Sequence, residues 1–410
     1  MSYLKLLPFV FVILLFTACT NDDTCDTPTD IVLNEKSAAI VDSDNQFGLE
    51  LFQKVNAAET GNENLMISPL SVSVALAMAY NGAEGTTREQ MEDMLHKSGL
   101  TPDEINQSYQ TLVNAHESHD VKVDFDIANG IFYHKDYTIL SDFLNVNEEY
   151  YNAEVKPLDF GDSQNALKAI NGWVKDKTND KIESILTEIS TDDVMVLLNA
   201  IYFNGKWTYR FNEDDTADRV FFYEDGSSAN VPTMVINEEF NYYRNENFEM
   251  LEMPYGSGKY SMLIFLPGDN ITANQMAGML SPENLDNWTG QMGEQTKKVF
   301  LPKFEFKYKT TLNTELQALG MVDAFNPEKA DFKGICEDQQ IFISEVIHKS
   351  YIKVNEKGTE AAAVTSVTIA ATSTLDGNTF TVDHPFIFVI KEKDTDTILF
   401  IGKVTDPAED

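Results

Sequence analysis

The sequence predicts an α+β domain with large, mostly antiparallel β-sheets. Helical patterns come first along the chain and strand patterns cluster later, which is the order typical of α+β folds. Hydrophobic residues make up 43% of the 410 residues, enough for a substantial core. No internal repeat or second linker follows residue 45, so we expect one large domain after an N-terminal tail.

The first helices are indicated by apolar spacing and by capping residues. The segment Asp44–Ala58 has apolar residues at helical spacing, and Asp44 is its predicted N-cap. The next segment, Ser68–Ala83, is nearly all apolar, which predicts a helix buried on every side. Ser68 would cap it, with Pro69 in its first turn. Two amphipathic helices are predicted to follow, in TTREQMEDMLH and TPDEINQSYQTLVNAH.

Strands are indicated by alternation and by apolar runs. Val121–His134 alternates with period two, and Val194–Trp207 reads as a buried strand, with an amphipathic helix starting at Ser163 between them. Later strands are predicted in YSMLIFLP, KKVFLPKFEFKY, IFISEVIHKSYIKVNE, HPFIFVIKEK and TILFIGKV.

The N-terminus reads as a targeting segment. Lys5 precedes an apolar run, Leu6–Phe16, which is long enough for a secretory signal but too short to span a bilayer. The small residues before Cys19 resemble a bacterial lipoprotein signal, which implies that Cys19 is lipidated. An ordinary cleaved signal is the alternative. We therefore expect a signal peptide at residues 1–18, an acidic tether at 19–43 and the domain at 44–410.

A lipid on Cys19 would hold the protein on a membrane while the domain stays in water. The acidic stretch after Cys19 resembles the surface-export signal of some bacterial lipoproteins. We therefore expect an exported bacterial cell-envelope lipoprotein, with the outer-membrane surface, the extracellular space and the periplasm all open as its location.

The charge balance excludes several classes of partner. The formal net charge is −36, whereas nucleic-acid binding needs Lys and Arg patches that contact phosphates. The same acidity argues against polyanionic cofactors and favours a soluble monomer. Three cysteines give no disulfide framework, and no cofactor is predicted.

Catalytic and metal motifs are absent at the spacings that the chemistry requires. The segment HESH places His116 and His119 three residues apart, which misses the spacing of a zinc-protease helix, and we expect a solvated helix end there. The segment YGSGKY is predicted to be a hairpin turn rather than a phosphate loop. No G-x-S-x-G elbow occurs, so neither an enzyme nor a metal site is predicted.

One segment near the C-terminus is unusual for a soluble protein. Residues 361–375 contain no charge, glycine or proline, and they are rich in Val, Thr and Ile, which favour strands. Gly358 and Gly377 bracket the run. A plain exposed linker would instead be rich in Gly, Ser and charge.

Several segments together resemble one family. HKSYIKVNEKGTEAAAVT, SPLSVSVALAMAYNGAEGTTREQM, INGWVKDKTNDKI, LLNAIYFNGKWTYRF, LPKFEF and DHPFIFVI…TILFIGKV resemble the serpins, in order and at family spacing. The resemblance implies three β-sheets, eight or nine helices and an exposed reactive-centre loop. It also implies irreversible inhibition of a protease, in which the cut loop inserts into the main sheet as a new strand.

The resemblance also implies roles for individual residues. A mobile hinge would contain Glu356, Gly358, Thr359, Glu360, Ala361, Ala362 and Ala363. Lys303 would pair with Glu356, and Trp207 would lie where the loop first enters the sheet. A hydrogen-bonded group beneath the sheet, here called the sheet-opening cluster, would consist of Ser68, Ser71, Asn199 and His348. The scissile bond would be Thr372–Ser373, with Ala371, Thr374 and Leu375 as alternative cutting positions.

An inserted loop would alternate between two faces. Small or apolar side chains would face inward at Thr359, Ala361, Ala363, Thr365, Val367, Ile369 and Ala371.

Small residues near the scissile bond imply targets with shallow pockets, such as elastase-like serine proteases. Cutting after Leu375 would suit chymotrypsin-like or subtilisin-like enzymes, and papain-like cysteine proteases remain open. The alternative from another class is a non-inhibitory member of the fold that binds a ligand or has a structural role. An unrecognised enzyme is the third hypothesis, and no motif supports it.

Overall fold

A computed structural model describes residues 30–59, 63–117, 119–191, 193–359 and 378–408. This part of the chain contains nine α-helices: α1 (Glu35–Ala58), α2 (Pro69–Tyr80), α3 (Gly85–Met94), α4 (Pro102–Glu117), α5 (Ser141–Tyr151), α6 (Ser163–Lys177), α7 (Ala273–Met279), α8 (Pro282–Thr289) and α9 (Asn313–Ala318). Its strands are β1 (Leu65–Ile67), β2 (Val123–His134), β3 (Glu154–Leu158), β4 (Met195–Lys206), β5 (Ala217–Phe222), β6 (Ser228–Arg244), β7 (Phe248–Tyr255), β8 (Tyr260–Pro267), β9 (Gly293–Pro302), β10 (Phe304–Thr311), β11 (Ile347–Asn355), β12 (Gly358–Thr359), β13 (Thr379–Thr381), β14 (Phe386–Glu392) and β15 (Ile398–Val404).

The described strands form two continuous sheets. The six-stranded sheet has the order β10-β11-β12-β4-β2-β3. The nine-stranded sheet has the order β1-β15-β14-β8-β7-β6-β9-β13, with β5 also paired to β6. Strand β6 is 17 residues long and pairs with β5, β9 and β7 along its length, so it joins two of the three expected sheets into one. The α+β class and the helix number are confirmed.

Helix α2 lies at the centre of the core, as its apolar sequence predicts. Eleven of its twelve residues are buried, and it contacts β4 on one side and β15 on the other. The Ser68 hydroxyl accepts a hydrogen bond from the Ser71 backbone N–H, and Pro69 occupies the first turn. This cap fixes the start of α2 beneath the six-stranded sheet.

The first helix begins earlier than predicted. Asn34, not Asp44, is the N-cap of α1, and its side chain accepts hydrogen bonds from the backbone of Lys36 and Ser37. The helix therefore covers residues 35–43 of the segment predicted as a tether, and Ile40 in that stretch is fully buried. The cap prediction for Asp44 was wrong, because its partner is distant in sequence: its carboxylate lies 2.8 Å from the Lys97 ammonium in the core.

The histidines of the HESH segment are buried, so the predicted solvated helix end is also wrong. His116 and His119 are 1% and 4% exposed. Both rings pack against the ring of Tyr260 on β8. The YGSGKY prediction is confirmed, since Tyr255 pairs with Tyr260 across the β7–β8 hairpin. No helix in the described ranges combines the length and apolarity needed to cross a bilayer.

The buried ion pair gives the first prediction. Lys97→Met would leave the Asp44 carboxylate in the core without its cation, and only the Tyr109 hydroxyl at 2.8 Å would still donate to the same oxygen. We expect the free energy of unfolding to fall by about 3–5 kcal/mol, measured by urea denaturation.

The matched control is Lys36→Met. Its pair with Glu104 is solvent-exposed, and loss of such a pair changes stability by less than about 1 kcal/mol. Equal effects of the two substitutions would show that Asp44 does not depend on Lys97.

Candidate functional site

A two-residue strand, β12, divides one end of the six-stranded sheet. Thr359 pairs with Val354 of β11 on one side and with Gly205 of β4 on the other. Both pairings are antiparallel, so β4 and β11 run parallel to each other with β12 between them. The first residues of the predicted hinge are therefore already a strand of the sheet.

The close fit of β12 requires glycine at its first position. Gly358 has a φ of 148°, which side-chain-bearing residues rarely adopt. A Cβ atom there would lie 2.1 Å from the Gly205 carbonyl oxygen. Gly358 thus lets the chain turn from β11 into the space beside β4.

Glu356 is anchored just before β12. Its carboxylate lies 3.1 Å from the Lys303 ammonium, the partner that the family resemblance implies, and accepts a 2.9 Å hydrogen bond from the Thr216 hydroxyl. Burial alone would raise the pKa of Glu356. The hydrogen bonds from its own backbone, Thr216 and Lys303 outweigh that effect and hold the pKa below its usual range. The carboxylate is therefore ionised and fixes the base of the hinge.

Trp207 and Tyr255 form an aromatic stack against the hinge. Their rings are 4.3 Å apart and nearly parallel, and the Trp207 indole N–H donates to the Asn355 carbonyl at 2.9 Å. The Tyr255 hydroxyl lies 2.6 Å from the Thr359 hydroxyl, which is buried. Trp207 thus lies beside β12, and the Thr359 side chain points toward the core.

Beyond β12, a groove separates β4 from β11. Among the described residues the two strands pair with β12 and not with each other. A cavity of about 610 Å³ lies between their far ends, above α2, and we call this space the central groove. It is lined by residues that include Ser71, Leu76, Leu197, Asn199, Leu312, Ile347 and His348.

The sheet-opening cluster is only partly joined by hydrogen bonds. The Ser68 backbone N–H donates to His348 Nε2 at 3.2 Å, and the Ser68 hydroxyl accepts from Ser71. Asn199 instead donates to the Asn129 side chain at 2.6 Å. The Asn199 Oδ1 atom is buried and has no hydrogen-bond partner. Burial lowers the pKa of His348 to about 4, so its imidazole is neutral near pH 7.

Sequence reasoning missed Asn129, Tyr255 and Thr216, which complete these contacts. Asn129 carried a signal, because it is a polar residue of low strand propensity in the middle of a predicted strand, directly across from Asn199. Tyr255 and Thr216 carried none, since only the fold brings them to the hinge.

Other predicted site residues lie outside the described ranges. These are Cys19, Glu360, Ala361, Ala362, Ala363, Ala371, Thr372, Ser373, Thr374 and Leu375.

The comparisons with known proteins agree with this geometry. The family model "Serpin (serine protease inhibitor)" matches residues 42–407. The chain belongs to the serpin family. It is 37% identical to the leukocyte elastase inhibitor of Xenopus laevis over 372 residues, which cover 88% of this chain and 97% of that protein.

Solved serpins share the fold. The native state of the thermophilic serpin tengpin superposes with a TM-score of 0.83 at 33% identity, covering 92% of this chain and 96% of that one. Human thyroxine-binding globulin in complex with thyroxine also gives 0.83, at 28% identity, covering 91% of this chain and 99% of that one. The family thus includes a protein named as an elastase inhibitor and one named for ligand binding.

The buried histidine of the cluster predicts acid sensitivity. The pKa of His348 in the folded state lies below the ordinary value of 6.5. Below pH 6.5 this imidazole therefore binds a proton in the unfolded chain but not in the folded chain. Stability therefore falls as the pH drops from about 6.5 toward 4. His348→Gln keeps an acceptor for Ser68 but cannot titrate, so the stability lost between pH 7 and pH 5 should shrink by about 2 kcal/mol in urea denaturation.

His384→Gln is the control with the opposite sign. Burial lowers the pKa of His384, but hydrogen bonds with Asp383 and the Pro267 carbonyl outweigh it and raise the pKa above 6.5. Protonated His384 stabilises the fold at low pH, and this stabilisation is lost as the pH rises. Replacing His384 should therefore enlarge the stability lost between pH 7 and pH 5. The same pH dependence in both variants would contradict the assignment.

Proposed function

We propose that this serpin inhibits serine endopeptidases irreversibly by inserting its cut reactive loop into the central groove. The observation that carries the proposal is β12: the hinge already occupies one strand position between β4 and β11, and the central groove lies further along between the same two strands. A chain extending from Thr359 would run antiparallel to both neighbours. It would supply hydrogen-bonding groups to both facing strand edges.

The register of β12 also predicts which loop residue meets the sheet-opening cluster. Thr359 is opposite Gly205 and Val354, so continuing that register places Thr365 between Asn199 and His348. The Thr365 hydroxyl would then lie near the Asn199 oxygen that has no partner. A polar group left unsatisfied before insertion would gain a donor after it.

The side chains of the loop support the same orientation. Because Thr359 points into the core beside Tyr255, the odd-numbered residues that follow would also point inward. From 361 to 371 these are Ala, Ala, Thr, Val, Ile and Ala, none of which carries a charge into the groove. Such a sequence suits burial between two strands above α2.

Insertion would act on the protease through a covalent ester. The protease serine attacks the carbonyl of the scissile residue, the amide bond breaks, and the new amine leaves on the C-terminal side. The fourteen residues from 359 to 372 span roughly 45 Å as a strand, so the esterified protease would be carried across the molecule before water hydrolyses the ester. Distortion of its active site would then prevent deacylation.

We propose elastase-like proteases as targets, because Ala371, Thr372, Ser373 and Thr374 are small. The relative from Xenopus laevis is named a leukocyte elastase inhibitor, which supports the same class. Papain-like cysteine proteases are a further target class, because their thiol attacks the same carbonyl. We propose that the protein acts as a monomer.

Ligand binding without inhibition is the second candidate, because thyroxine-binding globulin shares the fold with a TM-score of 0.83. The uncharged, small hinge residues at 361–363 favour inhibition, since a charge or bulky group there would oppose insertion.

Thr359→Arg tests the insertion. The full-length protein in mild detergent, mixed with an elastase-like protease, should give a covalent complex that survives SDS electrophoresis. Residue 359 is already buried beside Tyr255, and keeping a guanidinium there would cost several kcal/mol, so β12 should leave the sheet in the variant. Insertion would then have to bury this charge before the loop could follow, so insertion slows and the protease hydrolyses the ester first. We expect at least a tenfold smaller fraction of complex, with cleaved product in its place.

Thr296→Arg, at an exposed position of β9, controls for the added charge and should leave complex formation unchanged. Melting temperatures supply the second readout: the cleaved wild type should melt well above the intact protein. Unimpaired inhibition by Thr359→Arg, or equal melting of cut and intact protein, would refute the proposal.

We propose that the protein is anchored to a bacterial cell-envelope membrane through a lipid on Cys19, which lies outside the described residues. Cys19→Ala should move the protein from the membrane fraction to the soluble fraction, measured by ultracentrifugation and immunoblotting. Cys25→Ala is the matched control and should stay with the membrane. Continued sedimentation of Cys19→Ala with the membrane would contradict lipidation.

A further inference from the structure

We infer that His119, Glu392 and Asp394 form a binding site for a divalent metal ion such as Zn²⁺. His119 follows α4, whereas Glu392 and Asp394 lie at the turn between β14 and β15. The three candidate ligand atoms lie within 4.8 Å of one another. The set of one imidazole and two carboxylates is one that zinc accepts.

The spacing of the three atoms fits a tetrahedral ion. His119 Nε2 lies 3.2 Å from Glu392 Oε1 and 3.4 Å from Asp394 Oδ2, yet it makes no hydrogen bond. Ligands bound at 2.0–2.1 Å in a tetrahedron are separated by about 3.4 Å. A water molecule would complete the coordination.

Burial makes the cluster more than an acidic patch. The side chains of His119 and Glu392 are 1% and 0% exposed. Glu392 accepts hydrogen bonds from the backbone of Asp394 and Thr395 and from the Thr395 hydroxyl, which orient the carboxylate but do not neutralise its charge. A buried carboxylate needs a cation close by.

Two of the three lysines near the cluster pair with carboxylates outside it, and the third is shared between Asp394 and another carboxylate. Lys391 contacts Asp396, and Lys393 contacts Glu252 at 3.0 Å. Lys259 lies 2.8 Å from Asp394 and also contacts Asp30. The carboxylates of Asp30, Glu392 and Asp394 and the Lys259 ammonium together carry a formal charge of −2, which a divalent ion balances.

A bound ion would tie the end of α4 to the β14–β15 turn. Asp120, the residue after His119, accepts hydrogen bonds at 2.8 and 2.6 Å from the backbone N–H and the hydroxyl of Ser257. Ser257 belongs to the turn that follows Tyr255, the residue that contacts Thr359. The inferred site is therefore part of the support of the hinge and is separate from the central groove.

The rival interpretation is a protonated His119 paired with Glu392, with no ion. The two are distinguished by metal binding to the full-length protein in mild detergent, first stripped with a chelator and then dialysed against zinc chloride. We expect about one zinc ion per chain by mass spectrometry of the metal content. A rise in melting temperature should accompany binding.

Variants locate the ion. His119→Gln and Asp394→Asn should each weaken zinc binding at least about tenfold, because even outer-shell changes weaken metal sites by 10–100-fold. Asp394 is partly exposed, so its variant keeps the test valid if His119→Gln fails to fold. Lys259→Met should tighten binding, since it removes a competing cation from Asp394.

His116→Gln is the matched control, because it changes an equally buried histidine three residues away that is not part of the ligand set. It should retain wild-type affinity. Failure of the wild type to retain zinc, or equal binding by His119→Gln and the wild type, would overturn the inference in favour of the ion pair.

Discussion

The separation of β4 from β11 is the constraint on which the rest of the structure depends. Over the described residues these strands share β12 at one end and have no strand between their other ends. Backbone N–H and C=O groups along such edges need water or another strand as partners. Direct pairing of the two strands would satisfy both edges, but it would also remove the space for an additional strand. On the proposed mechanism, the native fold retains a less stable sheet that can accept one.

Directional contacts fix where an additional strand would begin. The carboxylate of Glu356 is held by Lys303 and Thr216, and the hydroxyl of Thr359 by Tyr255. Because side chains alternate along a strand, fixing Thr359 toward the core fixes the face of every residue after it. A shift of one residue would turn Glu360 inward and bury its charge. The hinge contacts thus determine register as well as position, which apolar packing alone would specify less strictly.

Local patterns predicted the elements of the fold well, but they missed contacts between distant parts of the chain. The cap of α2 at Ser68 and the hairpin at Tyr255 follow from short-range rules, and both are present. Asp44 looked like a cap because its partner, Lys97, lies 53 residues away. His119 looked solvated for the same reason, since the β14–β15 turn that covers it is more than 270 residues further along the chain. In the candidate site, family spacing supplied Glu356, Lys303 and Trp207, whereas Tyr255 and Thr216 could be found only from the fold.

The polar residues of the central groove explain why the two strands do not simply close. Apolar side chains at positions 199 and 348 would gain free energy by collapsing the cavity, which would stabilise the native sheet. Asn199 and His348 gain little from collapse, because each needs a hydrogen-bonding partner. His348 already accepts a hydrogen bond from the Ser68 backbone, whereas the side-chain oxygen of Asn199 is buried without a partner. On the proposed mechanism an incoming threonine hydroxyl would donate to the Asn199 oxygen, so a group that weakens the native sheet would stabilise the inserted one. The position that lowers the stability of the native sheet is thus the position that the proposed inserted strand would stabilise.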